Sequence, residues 1–158
     1  MIASSNISKK QQTIHSEFSL EGFGLHSGKK VKITIQPAKA NNGIKFIRTD
    51  LKNNSIIKAI WSNVTSTNFC TTISNDFGVS VSTVEHLMSA LSGMHIDNVN
   101  ILINNAEVPI MDGSSLPFVE LLENNGTLSQ DIDRKVIVIK KEIMVSNNDS
   151  YVKITPSK

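Results

Sequence analysis

The sequence has one cysteine, Cys70, among 158 residues. No disulfide can form within the chain, and no cysteine-rich zinc module can be built from it. A lone thiol suits a reducing compartment, so the expected location is the cytoplasm. Aromatic residues are scarce as well, at 5%, so aliphatic side chains must fill the core. Net charge is almost lacking: 16 Lys and Arg stand against 14 Asp and Glu, a balance of +2. The pairs Lys9-Lys10, Lys29-Lys30 and Lys140-Lys141 are isolated, and no basic stripe marks a nucleic-acid binder. No apolar run approaches the ~20 residues that span a bilayer, so no transmembrane segment is expected. Met1 to Gln12 is polar and lacks the apolar segment of a signal peptide. What remains, 39% hydrophobic and 19% charged, describes one ordinary globular domain, or a domain plus a fragment.

Period-two alternation is the strongest pattern present. Lys30 to Gln36 puts Val31, Ile33 and Ile35 on one face, the pattern of a half-buried strand, and Pro37 ends it. Val99, Ile101 and Ile103 repeat that pattern. Weaker strand signals lie at 13–20, 43–48, 53–59 and 69–74, with a glycine-punctuated turn at Gly22-Phe23-Gly24-Leu25-His26-Ser27-Gly28. Ser82 to Leu91 reads as a helix with Val84, Leu87, Met88 and Leu91 on one stripe. Ser82 and Glu85 fit a capping box, and Gly93 fits the stop. A second helix carries Pro117 in its first turn, Phe118, Leu121 and Leu122 on one face, and Gly126 as its stop. Helices spaced irregularly among strands predict an α+β fold: a mostly antiparallel sheet with helices packed on one face. Composition turns polar at Leu128 to Asp133, as in a linker, and Arg134 to Met144 and Tyr151 to Ile154 are again strand-like. The expected organisation is a flexible segment over 1–12, a first domain over 13–128, and a linker with the opening strands of a truncated second domain over 129–158.

Glu85 and His86 stand side by side at the start of the first helix. A carboxylate and an imidazole so placed suit a metal-activated water, one as proton acceptor and the other as ligand. The pair is not the His-Glu-x-x-His pattern, because the order is reversed and Ala90 offers no second ligand one turn on. From spacing alone, Glu85 is more simply the capping-box acid reaching back to Ser82, and His86 a polar surface histidine. His26 sits in a glycine-framed turn, where it can approach a ligand closely or simply face water. His15 and His95 read as surface histidines. Cys70 reads as a small buried hydrophobe, and Asp112 as a turn and helix-entry residue.

Four segments sharpen the reading. Gly22-Phe23-Gly24-Leu25-His26-Ser27-Gly28-Lys29, Ser82-Thr83-Val84-Glu85-His86-Leu87, Ile96-Asp97-Asn98 and Pro109-Ile110-Met111-Asp112-Gly113-Ser114 resemble the motifs of the UDP-3-O-acyl-N-acetylglucosamine deacetylase family. These are zinc enzymes that catalyse the committed step of lipid A synthesis in Gram-negative bacteria. The motifs occur in the family's order and span most of the chain.

The resemblance implies a layered sandwich of sheet and helices, the first of two similar domains whose helices meet around the active site. It implies Glu85 as general base and His86 as one of three zinc ligands. It implies that His26, Phe69, Cys70, Thr71, Met111 and Asp112 line the site for the substrate, UDP-3-O-acyl-N-acetylglucosamine. The other two ligands, the general acid and the groups that polarise the carbonyl have no counterpart in this sequence. The expectation is zinc in the intact enzyme, an inactive isolated chain, and helix faces left exposed and sticky where the second domain would cover them. The alternative is a non-catalytic remnant of the same fold that binds a sugar nucleotide or a protein.

Overall fold

The computed structural model describes residues 10–157. Strands β1 (Lys10–Ile14), β2 (Phe18–Phe23), β3 (Lys30–Pro37), β4 (Ile44–Arg48) and β5 (Ile56–Lys58) come first. A 3-10 turn at Trp61–Asn63 leads into β6 (Val64–Ser66), β7 (Thr72–Ser74) and β8 (Ser80–Val81). Helix α1 (Glu85–Gly93), β9 (Val99–Ile103), helix α2 (Leu116–Asn125), β10 (Thr127–Asp133), β11 (Ile143–Asn147) and β12 (Ser150–Ile154) complete the order.

The two strictly alternating segments become the middle of the main sheet, whose order is β2-β3-β9-β4-β5. β3 pairs antiparallel with both β2 and β9, and β4 pairs antiparallel with β5. Only the β4–β9 pair in this sheet is parallel. Alternation sends Val31, Ile33 and Ile35 of β3, and Val99, Ile101 and Ile103 of β9, to one buried face. Leu87, Ala90 and Leu91 of α1, and Phe118 and Leu122 of α2, belong to the same buried cluster. Each such Leu, Ile or Phe contributes about 1.5–3 kcal/mol by leaving water. The fold is therefore α+β.

A second sheet, β6-β7-β8, is small, and its last strand runs almost directly into α1. It is this sheet that carries residues 69–71 up to the helix start. The third pairing joins β1 to β10, antiparallel. The fourth, β11 with β12, is a hairpin with every residue of both strands exposed. No helix among the described residues is long and apolar enough to cross a membrane.

Several expectations need correction. Residues 1–9 of the expected flexible lead-in lie outside the described residues, but Lys10, Gln11 and Gln12 are the first half of β1, with Gln11 buried. Residues 128–133 are not a loose linker; they form most of β10. Most of the polarity that suggested a linker faces water, and the one residue turned inward, Gln130, pairs through its amide. Gln130 Oε1 accepts from Asn98 Nδ2 at 2.8 Å, and Gln11 Oε1 accepts from the same nitrogen at 2.9 Å. Residues 134–142 form no strand; the strand signal there is realised only from Ile143 onward. Arg134 is instead pinned by its ion pair with Asp97, Nε to Oδ1 at 2.9 Å.

The outer faces of the helices are mostly polar, with Leu116 at the start of α2 exposed. Solvent reaches Ser89, Ser92 and Gly93 of α1, and Glu120, Glu123 and Asn124 of α2, because both apolar stripes are spent on the sheet. Further exposed apolar side chains include Ile56, Ile60, Trp61, Phe69 and Phe77, and residues along β11 and β12.

Candidate active site

The start of α1 is built differently from a capping box. The helix begins at Glu85, preceded by Val84, and no side chain caps it. Ser82 is used in an isolated bridge with Glu107 instead. Its N–H donates to the Ala106 carbonyl at 2.9 Å, and its carbonyl accepts from Val108 N–H at 3.0 Å. Thr83 is buried and has a φ of 55°. A β-branched residue rarely enters that left-handed region. This kink frees Glu85 from Ser82 and turns it toward residue 71.

Glu85 Oε2 accepts a hydrogen bond from Thr71 N–H at 3.0 Å. Val84 N–H in turn donates to the Thr71 carbonyl at 3.4 Å, so Thr71 is bound twice to the helix start. Oε1 of Glu85 has no partner among the described residues. Glu85, Thr71, Val84 and Met88 line a shallow groove of about 290 Å³ whose other wall is Ile60, Trp61 and Val64. Adjacent to Glu85, His86 is half-buried, and no described residue holds its ring by a hydrogen bond.

Of the other sequence-predicted residues, only Thr71 shares this groove among the described residues. Phe69 is 97% exposed, with a φ of 62°. Cys70 is a free, half-buried thiol with its Sγ 3.9 Å from Thr72 Oγ1, not the fully buried hydrophobe its rarity suggests. Met111 has a φ of 55° and rests against Gly22 of β2. Asp112 is the turn and helix-entry residue expected: Oδ1 accepts from the N–H and hydroxyl of Ser114, at 2.8 and 2.9 Å. Those two bonds, with a smaller contribution from nearby His86, hold its carboxyl below the usual range.

His26 is exposed, and its backbone is fixed by a residue that the sequence did not single out. Glu107 accepts from His26 N–H through Oε1 and from Ser27 N–H through Oε2, both at 2.8 Å. Oε1 also accepts from Thr83 Oγ1 at 3.2 Å. Burial pushes the Glu107 carboxyl pKa up, but the His26 and Ser27 amides and the Ser27 and Thr83 hydroxyls outweigh it, and the net direction is down.

His86 has the chemistry of a metal ligand, but one imidazole does not make a site. Among the described residues no group of three His, Cys, Asp or Glu side chains could hold an ion.

Comparison with known proteins decides the family. The profile of UDP-3-O-acyl N-acetylglycosamine deacetylase matches residues 11–158. The chain belongs to this family.

The curated deacetylase of Campylobacter fetus subsp. fetus (strain 82-40) is 46% identical over 149 residues, covering 94% of this chain and 50% of the relative. That of Syntrophus aciditrophicus (strain SB) is 44% identical over 147 residues, covering 93% of this chain and 46% of the relative. That of Wigglesworthia glossinidia brevipalpis is 44% identical over 149 residues, with coverage of 94% and 50%. All three are named UDP-3-O-acyl-N-acetylglucosamine deacetylase. The chain spans about half the length of the curated relatives it matches. Within this deacetylase-family segment, Glu107 and Thr83 are the residues that sequence reasoning missed. The one available signal was a lone acid, Glu107, set between Ala106 and Val108-Pro109 in an otherwise apolar run.

Proposed function

We propose that this chain supplies the proton-accepting half of the active site of a zinc-dependent deacetylase. The substrate is UDP-3-O-acyl-N-acetylglucosamine, and the products are acetate and the free amine on the glucosamine. The reaction is the committed step of lipid A synthesis in the cytoplasm of Gram-negative bacteria. Family membership and the relatives' names support the reaction class. The observation that carries the assignment to residues is the state of Glu85: one oxygen tied to Thr71 N–H at 3.0 Å, the other uncommitted, at the mouth of a groove and next to an unbonded imidazole.

His86 would be the ligand that this chain offers to zinc. When bound, zinc lowers the pKa of its water to ~7 and makes it a nucleophile at neutral pH. Glu85 Oε1 would take the proton from an attacking water as the water's oxygen bonds to the acetamide carbonyl carbon. The Thr71 N–H keeps the carboxylate from rotating away, and the helix fixes the spacing of base and ligand. The C–N bond then breaks, and the nitrogen must gain a proton from an acid outside these residues. In this reading Phe69, Cys70, Thr71, Met111, Asp112 and His26 would contact the substrate, and of these Thr71 lines the groove at Glu85.

Residues 1–158 alone are expected to be inactive, because they supply one ligand only. The gene product that contains them in full is expected to release acetate from UDP-3-O-acyl-N-acetylglucosamine, and failure to do so removes the proposal. Metal analysis tests the ligand count: the purified 158-residue chain should retain far less than one equivalent of zinc, and near-stoichiometric zinc held through His86 would contradict the division of the site.

A further inference from the structure

Glu107 is a buried charge that the proposed reaction leaves unused. It is 3% exposed, yet all four groups that bond it belong to the glycine loop or the residues just before α1. Two of them, His26 N–H and Ser27 N–H, are consecutive amides of the glycine loop. The Ser27 hydroxyl belongs to the same loop, and the fourth group, the Thr83 hydroxyl, lies two residues before Glu85. We propose that Glu107 is a positioning residue that locks the glycine loop to the start of α1, and so sets where His26 stands relative to Glu85 and His86.

Three observations carry this. First, the carboxylate bridges segments separated by more than fifty residues, and its oxygens bond nothing else among the described residues. Second, the backbone beside it is already fixed: Ser82 bridges Ala106 and Val108 on either side of Glu107, so the side chain reaches the next residue, Thr83, from a rigid base. Thr83 holds a left-handed φ that a β-branched residue does not choose, and the Glu107 bond is the side-chain contact that holds it there. Third, Gly24 leaves the room. A Cβ there would run into Glu107 Oε2 and Ser27 Oγ, so the loop can close on the carboxylate only with glycine at that position.

A consequence follows for the ligand. Successive backbone N–H groups in a tight turn form a cradle for an anion. Here the cradle at His26 and Ser27 is filled from within, so it is closed to the diphosphate of a sugar nucleotide. What the loop presents outward is the exposed His26 side chain.

The inference rests on the proposed function for the roles of His26, Glu85 and His86, but its geometry does not. Its test begins with nuclear magnetic resonance of the 158-residue chain, without activity. In Glu107→Gln the new NH2 must face one of the N–H donors, so the His26 and Ser27 amide resonances should move upfield. The His86 ring resonances should move with them, while the methyls of Ile33 and Ile101 stay in place. His86 resonances at their wild-type positions would overturn the proposal. If Glu107→Gln does not fold, Thr83→Val decides. It keeps the shape of Thr83 and cuts the link on the helix side only. His86 should then shift while the His26 and Ser27 amides hold, and Thr83→Ser should restore the wild-type spectrum; an unmoved His86 ring in Thr83→Val would again overturn it. In the gene product that contains residues 1–158, Thr83→Val should lower kcat about 100-fold with little change in KM, as a small misplacement of the base does, and Thr83→Ser should recover it. Wild-type kcat in Thr83→Val contradicts the positioning role. Absence of acetate release from the wild-type protein contradicts the proposed function instead and leaves the spectral outcome to judge the lock.

Discussion

Gly24 is the residue on which the local geometry is least forgiving. It is buried, and the space a Cβ needs is already held by Glu107 and Ser27. Neither can yield easily, since Glu107 is itself tied to His26 and Thr83. Gly24→Ala is therefore expected to lower stability by about 1–3 kcal/mol, the usual range for overpacking a filled site. Urea denaturation reads it, and a variant as stable as wild type would show that the loop has slack. At this scale the sequence was partly legible. Glu85 and His86 drew attention because base and ligand chemistry lay side by side. Glu107 did not, because its value lies in backbone amides eighty residues away, and amides leave no mark on a sequence. The capping-box spacing misled for a related reason: Thr83 takes a left-handed φ, and that turn breaks the register between Ser82 and Glu85.

Helix α1 and strand β10 are the elements where pattern and structure part most clearly. The stripe of Leu87 and Leu91 located α1 correctly, but both ends moved. Gly93 is the last helical residue, and the left-handed position falls on His95, with a φ of 58°. A left-handed conformation costs a non-glycine residue about 1–2 kcal/mol, while glycine loses about 0.5–1 kcal/mol in chain entropy on folding. The first is larger, so His95→Gly should stabilise the protein by about 0.5–1 kcal/mol. Its carbonyl, which accepts from Arg134 at 3.0 Å, is unaffected. A lower urea midpoint for His95→Gly would mean that the imidazole makes a contact worth more than the strain. Strands β3 and β9 were legible because one face is aliphatic and the other polar. β10 was not, because the side chain it turns inward is Gln130, whose amide pairs with Asn98 and the Ala38 carbonyl. Period-two reading detects oil against water and is blind to a strand that docks through amides. Helix α2 was the easiest element, with Pro117 in its first turn and Gly126, φ 74°, just past its end.

For the whole molecule, acid tests the Glu107 lock against everything else. Its carboxyl is held below the ordinary value of 4.5 in the folded protein. A depressed carboxyl contributes stability that is fully present above the unfolded pKa and is lost as pH falls through the folded one. Asp50, lowered by its hydrogen bond to Arg48, titrates in the same direction and adds to the loss. The stability gap between wild type and Glu107→Gln isolates the one group. It should be constant above about pH 5.5 and shrink as pH is lowered below about 4.5. A gap that stays fixed down to the acid limb would remove the charge from the account of the lock.

The division of the fold also explains why the site is built where it is. The main sheet and both helices form a rigid base, the small sheet β6-β7-β8 brings Thr71 to the helix start, and Glu107 brings the glycine loop to the same place. Membership of the deacetylase family was legible from four short motifs, and the scaffold under them was legible from alternation. The central claim is that Glu85, anchored by Thr71, accepts the proton in amide hydrolysis. Acetate release from UDP-3-O-acyl-N-acetylglucosamine by the gene product containing residues 1–158 tests it, wild type against Glu85→Gln. A fall of about 100-fold or more in kcat, with zinc content and fold unchanged, is the predicted result. A Glu85→Gln protein that works at the wild-type rate would contradict it.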